Sequence, residues 1–377
     1  MLTIECKLHG NDNQYKNIDK AIKAFQFIRN KALRQWIDSK NNNTKENATT
    51  LYKLSKTLAQ EFDFVQPLNS SATQAATERA WHAIKRFYDK KSKFPKFQKD
   101  NRSIEFKVSG WKLSNNYKHI TIPSCNIGTL KLKGSHALQD YKESKIQRVR
   151  IIKKADGYYV QFCINANRKM KHEYKGNAIG IDMGLNNFYT DSNGNKIDNP
   201  RFLRKAEKAL KRLQRRHSKC NKHSKNREKA RKRLAKKHLK IQRQRKDFAV
   251  KTARQVIINN DFVCIENLQV KNMIRNKKLA KSINDASWNM FKIWLEYFGN
   301  ISGVKVIAVD PQYTSQICSG CGQEVKKTLS ERTHVCKCGT ILDRDENAAK
   351  NILARGYKEL STGGQSGNEA SGDLTSF

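Results

Sequence analysis

The chain is 377 residues long and 37% hydrophobic, enough for two or three modules with buried cores. Its 75 Lys and Arg against 34 Asp and Glu leave a formal charge of +41 and a pI near 10.0, a self-repulsion that calls for an anionic partner. No apolar run approaches the roughly 18 residues of a membrane span, and Met1–Glu5 is not a secretory signal, so the expected chain is cytoplasmic and its expected partner is nucleic acid. Of nine cysteines, Cys6, Cys125, Cys163, Cys220 and Cys264 are scattered, which suits reduced thiols and not a disulfide framework.

Residues 2–8 alternate and predict a strand, followed by an amphipathic helix over residues 15–40 carrying Ile18, Ile22, Phe25, Ala32 and Trp36. A polar loop at 41–47 precedes a second helical region at 51–88, closed by Phe94-Pro95-Lys96-Phe97. Between Ile104 and Ile164 the apolar period changes to two, and Lys154-Ala155-Asp156-Gly157 signals a hairpin. Residues 1–170 therefore predict a β-barrel with a helical insertion at about 12–100. A new unit begins near Gly176 with strands at 177–182 and 186–191 and a third after the Asn193-Gly194 turn.

Residues 201–257 are the most basic part of the chain and predict two helices broken around Ser218–Asn226. Most charge runs are solvated helix faces, but here bases outnumber acids too far for i,i+4 pairs to balance them. A phosphate-tracking hairpin is the better reading, with Lys211, Arg212, Arg215, Arg216, Lys232, Arg233, Lys236 and Lys237 as candidate contacts. A buried strand at 261–266, a helix at 286–298, a strand at 303–309 and helix material at 351–360 follow, and the Gly/Ser-rich residues 361–377 are expected to be disordered. The order βββ, helices, β, helix, β, helix is that of an RNase H-like mixed sheet flanked by helices. The expected class is thus α+β and multidomain, with the nuclease-like fold at 171–315 and 341–360 interrupted by a small module at 316–340.

That fold would put an acid on its first strand, another at the end of a later strand and a third near a C-terminal helix. The chain has Asp182 in Gly180-Ile181-Asp182-Met183-Gly184, Glu266 in Cys264-Ile265-Glu266-Asn267-Leu268, and Asp343 and Asp345 before Asn347-Ala348-Ala349. Each alone reads as a strand-end or helix-cap residue. Together, Asp182, Glu266 and Asp345 form the acid set that a two-Mg²⁺ phosphodiesterase centre requires, because Mg²⁺ is hard and prefers carboxylate oxygen. Cys318-x2-Cys321 and Cys336-x-Cys338, each pair followed by Gly, predict a structural zinc ribbon, with His334 the alternative to one thiolate because the second pair is a spacer short.

With these motifs in view, the chain resembles the TnpB (OrfB-type) proteins of bacterial insertion sequences, relatives of type V CRISPR effectors. Gly180–Asn186, Ile265–Leu268, Val309-Asp310-Pro311-Gln312-Tyr313-Thr314-Ser315-Gln316-Ile317-Cys318 and Asp343–Ile352 carry the resemblance, which covers about 176–356. It implies an RNA-guided DNA endonuclease that binds a guide RNA, opens target double-stranded DNA beside a short motif and cuts at a single RuvC site. It also implies that Asp182, Glu266 and Asp345 are the catalytic acids, and that the N-terminal barrel and insertion grip nucleic acid. A monomer in the cytoplasm, associated with the nucleoid and without membrane contact, is the expected form. The competing readings are a transposase performing strand transfer with the same acids, an RNA-guided DNA-binding regulator that has lost one, and a basic RNA-packaging protein that would not need them.

Overall fold

The computed structural model describes residues 2–42, 44–328 and 330–362, and it divides the chain into two compact units between Asn167 and Arg168. In unit 1, β1 (Leu2–His9) leads into α1 (Asp12–Asn41), whose start is set by a reciprocal cap: Asn11 accepts from the Gln14 N–H, and the Gln14 side chain accepts from the Asn11 N–H. The predicted second helical region is two helices, α2 (Ala48–Glu61) and α3 (Ser70–Tyr88). The break has a local cause: Pro67 has no N–H and disfavours helix at Gln66, and Asn69 caps α3 by accepting from the Ser71 N–H.

The remaining strands of unit 1 are β2 (Ser103–Phe106), β3 (Lys112–Leu113), β4 (His119–Ile122), β5 (Gly128–Lys133), β6 (Ile146–Lys154) and β7 (Gly157–Ile164). They pair antiparallel with β1 in the order β2-β6-β7-β1-β5-β4-β3. The expected barrel is not what the pairing gives. Among the described residues no ladder joins β2 to β3, so the sheet is open with these two as its edges. Closure needs long, staggered edge strands, and these edges are four and two residues long. One face buries Ile4, Cys6, Leu8, Ile104, Phe106, Ile120, Leu130, Val149, Val160 and Phe162 against Phe25, Ile28 and Ala72 of the helices.

Beneath α3 sits a buried ionic cluster that periodicity could not reveal. Glu105, 5% exposed, accepts from Arg79 at 2.9 Å, Arg148 at 2.8 Å and Arg150 at 3.0 Å. Burial by itself would raise its pKa, but the three guanidinium groups overcome that and hold it at about 2.

Unit 2 is built on β8 (Ala178–Asp182), β9 (Asn187–Asp191), β10 (Lys196–Asp198), α4 (Phe202–Lys219), α5 (Lys225–Asn259) and β11 (Phe262–Glu266). Two short helices that apolar spacing did not predict, α6 (Val270–Met273) and α7 (Ala280–Ala286), precede α8 (Trp288–Ser302), β12 (Lys305–Val309), β13 (Thr333–Val335), β14 (Ile341–Asp343) and α9 (Arg344–Thr362). The last helix begins seven residues before the expected 351, because the Asp343 carboxylate accepts from the Asp345 N–H and caps it. Ser361 and Thr362, expected in the tail, complete this helix; the rest of the predicted tail, residues 363–377, lies outside the described residues. No helix among the described residues is long and apolar enough to cross a membrane.

The main sheet of unit 2 runs β10-β9-β8-β11-β12, antiparallel through the first three strands and parallel from β8 to β11 to β12. Alternation sorts its faces. Val263 and Ile265 of β11, with Ile179 and Ile181 of β8, pack in the core of α5 and α8, alongside Val256, Phe291 and Leu295. Phe262 and Cys264 face α9 and Ile352. The approach of α9 is close: a Cβ on Gly180 would overlap the Ala349 carbonyl, and one on Gly356 would overlap the Cys264 sulfur.

Replacing Glu105 with Gln should destabilise the protein at pH 7 by about 3 kcal/mol, because it leaves three half-buried cations short of a counter-charge. The depressed native pKa makes this stabilisation present above roughly pH 4 and lost as pH falls toward 2. Urea midpoints of wild type and variant should therefore converge over that interval; a constant gap would mean that the carboxylate charge is irrelevant.

Candidate functional site

The two strand-end acids are neighbours by register. In the parallel β8/β11 ladder Cys264 pairs with Gly180 and Ile265 with Ile181, so the next level brings Glu266 beside Asp182 at the carboxyl ends of both strands. Strand parity places them on the α9 face, with Cys264 and Gly180. Helix α9 docks there with Asp345 in its first turn. Three acids from distant parts of the chain thus enter one electrostatic field.

The field is visible in the titration of Asp182. Burial, then the charges of Glu266, Asp345 and Asp343, push its carboxyl well above the usual range, with Arg344 opposing. The residue as a whole is half-buried. Glu266 is 6% exposed and raised by burial, against the pull of a hydrogen bond from Thr314 and the charge of Arg355. The Thr314 hydroxyl donates to Glu266 Oε1 at 2.7 Å. Asp343 has another role. It bonds Lys196 Nζ at 2.7 Å and caps α9 through the Asp345 N–H at 2.8 Å, and although burial would raise it, these partners hold it below its ordinary value. It is therefore tied up in structure, whereas the Asp345 carboxylate makes a long 3.9 Å contact with Arg332.

A fit to divalent metal can be judged from these groups. The donors are hard carboxylate oxygens, and their mutual repulsion, uncompensated by any buried base bonded directly to Asp182 or Glu266 among the described residues, is what a cation would relieve. The acids do not converge on a single point as tightly as the cysteines do.

The four cysteines meet at one point. Their sulfur atoms all lie within 4.8 Å of one another, with Cys318 and Cys338 3.7 Å apart and Cys321 and Cys336 3.6 Å apart. A tetrahedron of thiolates about 2.3 Å from zinc has edges of about 3.8 Å, so the set fits Zn²⁺. Burial pushes the Cys318 thiol up, but bonds led by the Cys321 N–H bring it to about 6, and Thr340 brings Cys338 to about 6. The short Cys-x-Cys spacing is accommodated at Gly339, whose φ of +90° turns the chain sharply after Cys338. His334 is fully buried on β13 beside the knot, where its Nδ1 contacts Lys327; it is not among the gathered ligand atoms. The ribbon hairpin pairs β13 with β14, so it runs on to Asp343, past the expected end at 340.

The basic hairpin is α4 against α5, joined along a seam of Ala206, Leu210 and Ile241 with Phe202, Leu203 and Leu234. The Asp285 carboxylate, 6% exposed, fastens it to α7 by accepting from the Leu203 and Arg204 N–H groups and from Arg245 at 2.8 Å. Lys211, Arg212, Arg215, Arg216, Lys232, Arg233 and Lys236 are exposed, and Lys237 is half-buried. Lys211 and Lys232 each pair one turn back, with Glu207 and Glu228 at 3.0 Å. Charge counting missed Asp285, Thr314, Asn347 and Asn351, because a single polar residue has no periodic signal. It also missed an aromatic patch in unit 1, where Lys40 lies within 5.7–5.9 Å of the Trp36, Phe87 and Phe94 rings and Phe94 and Tyr88 are 44% and 58% exposed.

Comparison with known proteins agrees with this layout. Residues 161–277, which include Asp182 and Glu266, match the OrfB_IS605 family, described as a probable transposase, and residues 288–352, which include the cysteines and Asp345, match the Cas12f1-like TNB domain. A Streptomyces pristinaespiralis protein provisionally named an RNA-guided DNA endonuclease is 29% identical over 95% of this chain and 90% of its own length. The Escherichia coli K12 protein InsQ, named in the same provisional way, is 27% identical over 81% of this chain and 79% of its own. The Cas12f1 chain of a Cas12f1–sgRNA–target DNA complex has a similar fold, with a TM-score of 0.59 at 15% identity over 90% of this chain and 82% of that one. Two adjoining family segments and relatives that span most of the length lead to one conclusion: the chain carries an OrfB_IS605 segment and a Cas12f1-like TNB domain, and is similar to TnpB-like (OrfB-type) proteins.

Proposed function

We propose that this protein is an RNA-guided, Mg²⁺-dependent DNA endonuclease of an insertion sequence, cutting by phosphodiester hydrolysis at one RuvC-type centre made of Asp182, Glu266 and Asp345. The observation that carries the reading is the register that sets Glu266 beside Asp182 at the carboxyl ends of β11 and β8, with the charge of Asp345 acting on Asp182. The names of the relatives supply the guide RNA and the DNA target. Bound Mg²⁺ would supply water activation and charge neutralisation at the scissile phosphate. The protein's own part is to hold the acids: Asp182 and Glu266 on rigid strand ends, Glu266 oriented by Thr314, and Asp345 in a capped helical turn.

The four cysteines would hold a structural zinc, with no ligand position left for water. Unit 1, with its aromatic patch, and the basic hairpin would bear on guide RNA and target duplex, the hairpin through backbone phosphates. The described chain carries all three acids, so a monomer can form the centre, and action on DNA in a cytoplasm without membrane contact fits the composition. The family description as a transposase keeps strand transfer at transposon ends as the second reading. The two part on RNA: cleavage that needs a co-purified guide and follows its sequence supports the first, whereas RNA-independent action on transposon ends supports the second. Presence of the full acid set argues against an inactive regulator.

Asp182→Asn removes one of the repelling charges. At pH 8 without added divalent ions it should melt above wild type, and it should lose the Mg²⁺-induced rise in Tm that wild type shows. Cleavage should fall by on the order of 10³-fold or more. An equal Mg²⁺-induced rise in the variant would remove Asp182 from the metal site. For the hairpin, neutralising Lys236, Arg212, Arg215 and Arg233 together should lower the slope of log affinity against log salt, by up to about 0.9 for each phosphate that is no longer neutralised. An unchanged slope would mean that the phosphates are held elsewhere. Cys318→Ser should reduce bound zinc measured by mass spectrometry of the native protein, and full zinc retention would exclude Cys318 as a ligand.

A further inference from the structure

The cysteine knot and the acid centre are joined by specific hydrogen bonds. The residue just before the first cysteine, Ile317, presents a carbonyl that accepts from two α9 side chains, Asn347 Nδ2 at 2.8 Å and Asn351 Nδ2 at 2.7 Å. Asn347 Oδ1 also accepts from the Ser319 N–H at 2.9 Å, so it grips both sides of Cys318. The two asparagines are four residues apart, hence on one face of the helix, and are 0% and 8% exposed. Asn351 reaches further and donates to the Thr314 carbonyl at 2.9 Å. Thr314, 4% exposed, turns its hydroxyl onto Glu266.

A second path runs through the backbone. The last cysteine, Cys338, is followed by β14, whose final residue Asp343 caps the turn that carries Asp345. The ribbon is therefore tied to two of the three acids, once through side chains and once through the chain itself. Packing alone does not account for this. Buried amides and hydroxyls must be satisfied, but backbone or water partners would serve that need as well, whereas here the bonds of Asn347 and Asn351 and the shorter bond of the Thr314 hydroxyl lie on the line from cysteine to carboxylate.

We infer that Thr314 and Asn351 are positioning residues that transmit the order of the zinc knot to Glu266, so that divalent-ion affinity at the acid centre depends on an intact ribbon. The inference rests on the metal-binding reading of the acids proposed above. Thr314 has one proton to give and two acceptors for it, Glu266 Oε1 at 2.7 Å and the Pro311 carbonyl at 3.2 Å. With Asn351 holding its backbone, the hydroxyl keeps the first, and Glu266 is fixed with its other oxygen directed elsewhere. Losing the tether frees Glu266 to choose among rotamers, and a ligand that must be ordered on binding holds its ion less tightly.

The test is Mn²⁺ binding to the full-length, zinc-loaded protein, followed by electron paramagnetic resonance and calorimetry in the absence of nucleic acid, with zinc content measured on each sample. Thr314→Val keeps the shape and removes the hydroxyl; it should retain one zinc per chain and bind Mn²⁺ roughly 10-fold more weakly, the loss typical of removing a group that orients a metal ligand. Thr314→Ser restores the hydroxyl and should restore affinity. Asn351→Leu should weaken binding in the same direction, and so should wild type stripped of zinc, with recovery when zinc is returned. Wild-type affinity in zinc-replete Thr314→Val, or in the stripped protein, would overturn the inference while leaving the acid centre standing. Failure of the wild type itself to bind Mn²⁺, or binding unaffected by Asp182→Ala, would instead defeat the metal-site reading and take the inference with it.

Discussion

Bringing three carboxylates together in a partly desolvated niche costs free energy, and unit 2 is arranged around offsetting that cost. Burial and mutual repulsion both raise Asp182, so the acids remain together only because the elements bearing them are held by other interactions. The β8/β11 register is fixed by apolar residues on both faces, since a one-residue slip would turn Ile179 and Ile181 out of the α5/α8 core and Asp182 into it. The glycine contacts at Gly180 and Gly356 bring α9 against these strands, and the Asp343 cap begins the helix where Asp345 must stand. Cations stand around the niche and not on its two strand-end acids: Arg344 near Asp182, Arg355 near Glu266, and Lys196 bonded to Asp343.

The same chain solves the opposite electrostatic problem on its surface. A charge of +41 disperses over exposed lysines and arginines, and α4 and α5 of unit 2 carry a dense share of it on a narrow apolar seam. Asp285 shows how such a hairpin is kept in place: one buried carboxylate accepts from two free N–H groups at the start of α4 and from Arg245 of α5, so it serves as a helix cap and as a counter-ion at once. Glu105 does the corresponding work in unit 1 among three arginines. In a chain so rich in bases, these two buried acids become fastening points.

Much of this organisation is legible in the sequence. The period change from helix to strand near Ile104, the βββ-helix-β-helix-β-helix order, the strand-end positions of Asp182 and Glu266 and the clustering of four cysteines all follow from local pattern. The differences have identifiable causes. Alternation predicts a barrel because it reports which residues face inward, but it carries no information on whether the edge strands are long enough to meet. The helix at 51–88 reads as continuous because its apolar spacing survives the break, although Pro67 and Asn69 mark it. The start of α9 reads late because its cap lies across a strand end.

By itself the sequence determined what is local: periodicity, caps, turn residues, the hard or soft character of each ligand set, and the excess of positive charge. Only the tertiary structure decided what is relational. It tied Asp343 to Lys196 and to the helix cap, which local spacing does not reveal. It kept Cys338 in the knot and His334 beside it, and it drew Thr314, Asn347 and Asn351 into the space between knot and acids. The physical reason is that a hydrogen bond depends on a few tenths of an ångström and on angle, and those are set by how distant strands and helices pack, which no local spacing along the chain records.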